Sequence, residues 1–293
     1  MSTAFVLSGG ASLGAVQVGM LRALVERGIT PDLLVGTSAG ALNAAFLAGH
    51  GTTPAAVDEL AAVWRGLQAR LLFPLDPLRA LAALAGRRTS LCSDRGLRHL
   101  LEQHLTFDRL EDAPVPVVVV ATDLLTGRDV ALSEGDAHEA VLASCALPAV
   151  FPPVPHEGRQ LVDGGLANNT ALSEAVRAGV STIYALPSGY SCALPRPPRT
   201  PLGTAVHALE ILTHQRLLTD VERYADQVDL VVLPPPCPLS VSPANFGRAG
   251  ELIDAAHATA AAALDVDRGR RTHPERNLGL HDHSAAGVAG TRA

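Results

Sequence analysis

A serine between two glycines is the feature of this chain that points most directly to chemistry. The stretch Gly36–Gly40 reads Gly-Thr-Ser-Ala-Gly; it follows the apolar run Asp32–Val35 and precedes the helix-forming run Ala41–Ala48. A G-x-S-x-G sequence between a strand and a helix is typical of a nucleophile elbow, where the hydroxyl lies on a tight turn at a helix N-terminus. The helix dipole and the free N–H groups there favour an oxyanion. Ser38 is therefore predicted to be a nucleophile, with a purely structural Gly-rich turn as the alternative.

Two further Gly-rich segments could complete such a site. Ser8–Gly14 precedes a helix-forming run, and its backbone N–H groups could bind an anion, either a phosphate or a tetrahedral oxyanion. The chain has no lysine and lacks the Walker spacing, which excludes a phosphate-binding loop of that kind. Asp163–Gly165 is either a simple turn or a carboxylate held at a strand end, able to accept the Ser38 proton directly or through water. Because a free aspartate has a pKa of about 3.9, such a base needs desolvation and a strong oxyanion hole.

The order of predicted elements explains how these segments could meet. Short apolar runs alternate with helix-forming runs from residue 4 onward, which predicts an α/β fold with a parallel sheet. Ligands in such sheets bind beyond the carboxyl ends of the strands. Since all three Gly-rich segments follow predicted strands, we expect them to converge on one cleft.

Composition limits the classes of function. Hydrophobic residues make up 47% of the 293 residues, enough for a sizeable core; the net charge is −6 and aromatic residues are 3%, so nucleic acid is a poor partner. We expect one domain over residues 1–267, with a helical insertion at about 52–110, and a disordered tail over 268–293. The four dispersed cysteines predict neither a disulfide framework nor a zinc site. No signal peptide or transmembrane run is recognisable, so we expect a cytoplasmic protein, free or peripheral at a membrane.

Taken together, these motifs resemble the patatin-like phospholipases, in particular their bacterial branch. That family carries a Gly-rich oxyanion loop, a G-x-S-x-G serine and a D-G-[GA] aspartate, matched here by Ser8–Gly14, Gly36–Gly40 and Asp163–Gly165. The stretches Ala121–Gly127 and Ala143–Pro153, the latter running on to Asn169, are also similar, and all motifs occur in order between about residues 4 and 235. The resemblance implies a three-layer α/β/α sandwich with a mainly parallel central sheet.

The resemblance also implies roles for individual residues. Ser38 would be the nucleophile and Asp163 the base of a two-residue dyad that hydrolyses lipid acyl esters through an acyl-enzyme, with no metal and no organic cofactor. The implied oxyanion hole consists of the backbone N–H groups of Gly9, Gly10, Ala11 and Ala39. The implied supporting glycines are Gly14, Gly36, Gly40, Gly164 and Gly165. The expected partners are a lipid or fatty-acyl ester and, transiently, a membrane surface. The chain departs from the family pattern at Ala11, usually Gly, and at Leu13, usually Arg, which affects rate and substrate choice more than fold.

Three other hypotheses stay open at this point. An α/β-hydrolase with a Ser-Asp-His triad would use His207, His214 or His257, although its elbow normally follows more strands than the chain has before Asp32. An acyltransferase would share the acyl-enzyme, and a binding protein could have kept the fold without activity. Oligomeric state and head-group specificity are not readable from the sequence.

Overall fold

A central sheet of eight strands lies between two layers of helices. The structure is a computed structural model that describes residues 2–74, 77–189, 197, 201–237, 241–266 and 274–279. The strands are β1 (Thr3–Leu7), β2 (Leu33–Thr37), β3 (Val117–Asp123), β4 (Asp129–Leu132), β5 (Val154–His156), β6 (Arg159–Asp163), β7 (Thr182–Leu186) and β8 (Asp229–Val232). The helices are α1 (Gly14–Val25), α2 (Ala39–His50), α3 (Pro54–Gly66), α4 (Ala69–Leu72), α5 (Pro77–Leu84), α6 (Arg95–His104), α7 (Ala137–Ser144), α8 (Gly165–Asn168), α9 (Leu172–Arg177), α10 (Pro201–Tyr224) and α11 (Ala249–Leu264).

The sheet is mixed but mostly parallel. Strands β3, β2, β1, β7 and β8 are neighbours in that order and all run parallel. Strands β4 and β6 pair antiparallel with β3, and β5 pairs antiparallel with β6. The expected three-layer α/β/α architecture is confirmed.

Alternating side chains of the strands fill two cores, as the period of two in a strand requires. On one face, Phe5 and Leu7 pack with the helices α1, α2, α3, α7 and α11. On the other face, Ala4 and Val6 pack with α9 and α10. The central strands are apolar on both faces because both are covered, which is typical of parallel sheets.

Side-chain caps define where two helices begin. The Thr53 hydroxyl accepts from Ala56 N at 3.2 Å, and a proline follows at the first helical position of α3. The Asp136 carboxylate accepts from Glu139 N at 2.9 Å and starts α7. Both arrangements satisfy N–H groups that a helix cannot satisfy itself.

The end of the chain and one cysteine differ from expectation. Within the predicted disordered tail, Pro274–Leu278 forms a 3-10 helix; Asn277 Nδ2 donates to Val232 O at 2.6 Å and Leu278 is fully buried. An apolar side chain that packs beside β8 and α10 orders this segment, whereas the other residues after 266 lie outside the described part of the chain. Cys92 and Cys145 are buried free thiols, but Cys237 is disulfide-bonded, contrary to the expectation of no disulfide.

Candidate active site

Ser38 lies on a strained turn between β2 and α2. Its backbone has φ 52° and ψ −122°, in the left-handed half of conformational space that is unfavourable for a residue with a side chain. The glycines on either side allow the turn to be this tight. A Cβ at Gly36 would approach Gly40 O to 2.5 Å, and one at Gly40 would approach Leu7 O to 2.2 Å. The turn therefore has the geometry of a nucleophile elbow.

Asp163 meets Ser38 where two strands approach each other end to end. Strand β4 pairs with one edge of β3, along residues 119–122 of β3. Strands β2 and β6 share the opposite edge of β3, where β2 pairs with residues 117–120 and β6 with residues 121–123. Strand β2 stops at Thr37, opposite Val120, and β6 stops at Asp163, opposite Ala121. Ser38 Oγ donates to Asp163 Oδ2 at 2.6 Å across this junction.

This arrangement differs from the one expected from the sequence. Ser8 and Ser38 do follow the carboxyl ends of the parallel strands β1 and β2. Asp163, in contrast, ends a strand that runs antiparallel to β3, so it enters the site from the opposite direction. The three Gly-rich segments converge as predicted, but the rule for parallel strand ends explains only two of them.

The Asp163 carboxyl is buried, and burial controls its protonation. Its residue is 6% exposed, and desolvation raises the pKa to about 6, although hydrogen bonds from Ser38 Oγ and Gly165 N, the latter at 2.8 Å, act to lower it. Desolvation dominates because it penalises the charged form on every side. A carboxylate with this pKa is ionised at neutral pH yet much more basic than a free aspartate, as a general base requires.

Three backbone N–H groups near Ser38 are available to an oxyanion. Those of Gly10, Ala11 and Ala39 have no acceptor among the described residues. Gly9 is different: its N–H donates to Asn169 O at 3.2 Å. The expectation that Gly9 is an oxyanion donor is therefore not supported, because its hydrogen is already committed to the loop after Asp163.

The two departures from the family pattern have clear structural consequences. Ala11 has φ 50°, the left-handed conformation that favours glycine, so a methyl group stands where glycine would be relaxed. Leu13 is 1% exposed and belongs to the main core, so its side chain packs inward. Neither change removes a backbone donor from the site.

Ser188, which the sequence analysis did not single out, fixes the Gly-rich loop. Its N–H donates to Ser8 Oγ at 2.8 Å and its hydroxyl donates to Gly9 O at 2.5 Å. A Cβ at Gly10 would lie 2.1 Å from Ser188 Oγ, so glycine is required there. No motif marks Ser188 in the sequence, because it follows β7, far from the loop that it holds.

Ser144, also without an assigned role in the sequence analysis, holds the elbow. Its Oγ accepts from Ser38 N at 2.8 Å and donates to Val120 O at 2.6 Å, while its carbonyl accepts from Gly164 N at 3.2 Å. Ser144 is fully buried, so these groups have no access to water. The resemblance of Ala143–Pro153 to the family is the sequence signal that could have identified it.

A buried chain of polar groups connects the helical insertion to the Gly-rich loop. Trp64 Nε1 donates to Asn43 Oδ1 at 2.7 Å, and Asn43 Nδ2 donates to Gln17 Oε1 at 2.8 Å. Gln17 Nε2 donates to Ser8 O at 2.7 Å and to Leu186 O at 3.0 Å. Gln17 and Asn43 are fully buried, and breaking one link leaves an unsatisfied group, which costs about 1–3 kcal/mol.

The histidines considered for a triad lie in other contacts. His207 Nδ1 is 3.2 Å from Glu210 Oε2, and His257 Nε2 is 2.7 Å from Glu26 Oε2. His214 is buried on α10, where desolvation lowers its pKa even though its ring donates a hydrogen bond to the backbone carbonyl of Leu278, which acts to raise it. None of the three is hydrogen-bonded to Ser38 or Asp163.

The described residues contain neither a metal-binding cluster nor a membrane-spanning helix. No group of three or more His, Cys, Asp or Glu side chains is placed to hold a metal ion there. No helix in that part of the chain is both long and apolar enough to cross a membrane. An apolar cavity of about 30 Å³ lies between α2, α3 and α6, one helical turn beyond Ser38; its lining includes Leu42, Phe46, Leu60, Trp64 and Leu101.

Comparison with known proteins decides the family. A model of the patatin-like phospholipase family matches residues 5–176, more than half of the chain. The chain belongs to the patatin-like phospholipase family. The match includes the elbow, the Gly-rich loop and the Asp163 loop, and strands β7 and β8 extend the sheet beyond it.

The chain is also similar to several longer proteins. Patatin-like phospholipase domain-containing protein 7 of Mus musculus is 29% identical over 64% of this chain and 13% of its own length. Lysophospholipase NTE1 of Mycosarcoma maydis is 27% identical over 64% of this chain and 10% of its own length. An uncharacterized NTE family protein of Mycobacterium tuberculosis is 32% identical over 61% and 46%. The chain thus spans between a tenth and a half of these proteins. The crystal structure of VipD from Legionella pneumophila covers 97% of this chain and 72% of its own, at 15% identity and a TM-score of 0.45.

Proposed function

We propose that this protein is a lipid acyl hydrolase whose nucleophile is Ser38 and whose general base is Asp163. The observation that carries the proposal is the 2.6 Å hydrogen bond from Ser38 Oγ to Asp163 Oδ2, made by a serine on a strained elbow and a carboxylate whose pKa burial raises to about 6. A nucleophile within hydrogen-bond reach of an ionised base is the requirement for covalent catalysis. Family membership makes a lipid ester the expected substrate.

The first half of the proposed reaction forms an acyl-enzyme. Asp163 takes the Ser38 proton while Oγ attacks the ester carbonyl, which becomes a tetrahedral oxyanion. The N–H groups of Gly10, Ala11 and Ala39 stabilise that charge, and the N-terminus of α2 adds a favourable dipole. The intermediate collapses, the C–O bond to the alcohol breaks, and Asp163 returns the proton to the departing alkoxide.

The second half releases the acid. Water attacks the acyl carbonyl, Asp163 accepts its proton, and collapse of the second oxyanion returns the proton to Ser38 Oγ. Cys145, near the carboxylate, does not compete as a nucleophile, because burial and the Asp163 charge raise its pKa well above the ordinary value and keep it a thiol.

We further propose an acyl ester with a long apolar chain as substrate. The apolar cavity begins at Leu42, one turn beyond Ser38 on α2, but 30 Å³ is smaller than an acyl chain, so α3 and α6 must move apart to admit it. The relative from Mycosarcoma maydis is named as a lysophospholipase, which makes a lysophospholipid the first substrate to test. We take residues 1–267, together with the Pro274–Leu278 segment that packs on β8, as the catalytic unit. It would act where its lipid substrate is, at a membrane surface.

The test compares wild type with Ser38→Ala and Asp163→Asn on short- and long-chain p-nitrophenyl esters and on lysophospholipid and diacyl phospholipid. Ser133→Ala and Asp112→Asn make the same chemical changes at exposed positions and serve as matched controls. We expect both site variants to lose at least a hundredfold in kcat/KM and both controls to keep wild-type rates.

Two outcomes would change the assignment. If wild type turns over no substrate faster than Ser38→Ala, the chain is a binding protein rather than a hydrolase. If an added alcohol or thiol acceptor captures most of the acyl group in place of water, the acyl-enzyme is retained but the activity is acyl transfer.

A further inference from the structure

The helical insertion carries three leucines whose side chains are largely exposed. Leu71 on α4 is 59% exposed, and on α5 Leu78 and Leu81 are 79% and 65% exposed. Leu78 and Leu81 are three residues apart, so they lie on the same side of α5. Single exposed leucines are ordinary, but three exposed leucines within eleven residues indicate an apolar surface that binds a partner or a membrane.

Arginines flank these leucines in the sequence. Between residues 70 and 95 the chain has five arginines and two aspartates, although the whole protein has a net charge of −6. Arg70, Arg87, Arg88 and Arg95 are exposed and form no ion pair with any described residue. Elsewhere, most described arginines pair with carboxylates, namely Arg22, Arg27, Arg65, Arg98, Arg109, Arg177, Arg216 and Arg248. The exceptions among them are Arg128, Arg159 and Arg223, which form no ion pair with a described residue. The charges of Arg70, Arg87, Arg88 and Arg95 are thus not paired with a carboxylate among the described residues.

Backbone contacts keep the arginines beside the leucines. The Leu71 carbonyl packs so closely on Gly96 that a Cβ there would lie 1.8 Å away, which places Arg95 next to α4. Arg87 N donates to Ala82 O at 2.8 Å, which places Arg87 and Arg88 at the C-terminus of α5. We call six exposed residues of α4, α5 and the turn after α5 the α4–α5 surface; they are Arg70, Leu71, Leu78, Leu81, Arg87 and Arg88.

Aromatic packing connects the α4–α5 surface to the candidate active site. Phe73, directly after α4, lies 5.8 Å from the ring of Phe246, and Phe246 stacks on Trp64 at 6.4 Å between ring centroids. Trp64 in turn packs on Gly14, where a Cβ would approach its ring and the Ala39 methyl group to 2.8 Å or less. Ala39 is the residue after Ser38, so the surface and the nucleophile belong to one continuous body.

We propose that the α4–α5 surface docks the protein on an anionic lipid bilayer. Leucines that enter the interface next to arginines that face lipid phosphates are typical of interfacial helices. A second copy of this chain is a poorer occupant, because a symmetric contact would bring the same arginines together. Docking would hold the elbow near the membrane, where an acyl ester is available. The whole chain has a net charge of −6, but the local charge of this segment is what an electrostatic anchor requires.

The proposal is tested with vesicles and with the Ser38→Ala protein, which keeps the surface and cannot form an acyl-enzyme. Binding therefore does not depend on whether the proposed hydrolysis is correct. Partition is measured by co-sedimentation with phosphatidylcholine vesicles and with vesicles that also contain phosphatidylglycerol. We expect clear preference for the anionic vesicles, weakened by salt.

Two variants separate the charged and apolar parts. Arg87→Gln/Arg88→Gln should weaken partition into anionic vesicles roughly 10- to 30-fold, from about fivefold for each basic residue at such a surface. Leu81→Gln should weaken it roughly tenfold at any salt concentration. The matched controls are Arg128→Gln/Arg223→Gln and Val266→Gln, which change exposed residues outside the surface. Thermal unfolding and, with Ser38 intact, hydrolysis of a water-soluble short-chain ester verify that each variant is folded.

Three results would overturn the proposal. The first is that the parent protein does not partition into anionic vesicles, and the second is that the control variants lose as much partition as the surface variants. The third is a dimer that Leu81→Gln converts to a monomer while partition is unchanged. The last result would assign the α4–α5 surface to a second copy of the chain.

Discussion

Burial of Asp163 should make the proposed base a source of instability, and replacing it by asparagine tests this directly. Its pKa of about 6 in the folded protein lies above the value of about 3.9 for an unfolded aspartate. The folded state therefore holds the proton more tightly, and stability falls as the pH rises from about 4 to about 6, then stays level. Above pH 7 the ionised carboxylate costs about 3 kcal/mol of folding free energy.

Asp163→Asn removes this cost but cannot keep both hydrogen bonds. The carboxylate accepts from Ser38 Oγ and from Gly165 N, and the amide has a single oxygen, which offsets the gain by about 1 kcal/mol. We expect the variant to be more stable than wild type by about 2 kcal/mol at pH 8. Because part of the carboxyl cost is absent at pH 5, the difference should narrow there by about 1.4 kcal/mol.

The assays are urea unfolding of both proteins at pH 5 and pH 8 and the pH dependence of kcat/KM for a soluble ester. At pH 5 about a tenth of Asp163 is ionised, so kcat/KM should be roughly tenfold below its plateau. Asp112→Asn should alter neither quantity. A stability difference that is the same at both pH values, or an Asp163→Asn protein with wild-type turnover, would refute the reasoning.

Three other substitutions probe neighbouring features. Ala11→Gly removes the strain of an alanine in the left-handed conformation and should raise the free energy of unfolding by about 0.5–1 kcal/mol. The gain is expected because that strain, roughly 1–2 kcal/mol, exceeds the entropy cost of glycine. A lower urea midpoint would contradict this. Ser144→Ala leaves Ser38 N and Val120 O without their buried partner and should lower the free energy of unfolding by about 1–3 kcal/mol. It should also lower kcat more than it changes KM, which steady-state kinetics measures. His214→Gln should make the unfolding midpoint less sensitive to acid below pH 6.5. The reason is that burial lowers the pKa of His214, so that its protonation favours the unfolded state. An unchanged acid dependence would mean that the pKa of His214 is the same in the folded and unfolded states.

Local patterns were sufficient to predict most elements of the fold. The apolar run that starts at Thr182 forms β7 (Thr182–Leu186), and the Val-rich run at 115–122 overlaps most of β3 (Val117–Asp123). These segments are recognisable because covered strands are continuously apolar. Helices α8 and α9 were not predicted, since each has fewer than seven residues and too few turns to show a helical period.

The candidate site could be predicted only where one short segment of sequence contains both the reactive residue and the glycines that position it. The elbow is such a segment, and Ser38 and Asp163 were assigned from two of them. The use of the Gly9 N–H by Asn169, and the roles of Ser144 and Ser188, depend on residues more than a hundred positions away. No local pattern encodes those contacts, because pairing between distant strands creates them.

Because β2 and β6 meet end to end, the contact between Ser38 and Asp163 depends on the register in which β6 pairs with β3. Side chains alternate between the two faces of a sheet, so a slip of one residue in the pairing of β6 with β3 would turn the Asp163 carboxylate to the opposite face. The Ser38–Asp163 bond also joins residues 125 positions apart, so it can form only after the long-range pairing is complete. An intermediate with its helices formed but β6 unpaired would have its elbow and lack its base. Recovery of activity during refolding should therefore lag behind recovery of helical circular dichroism.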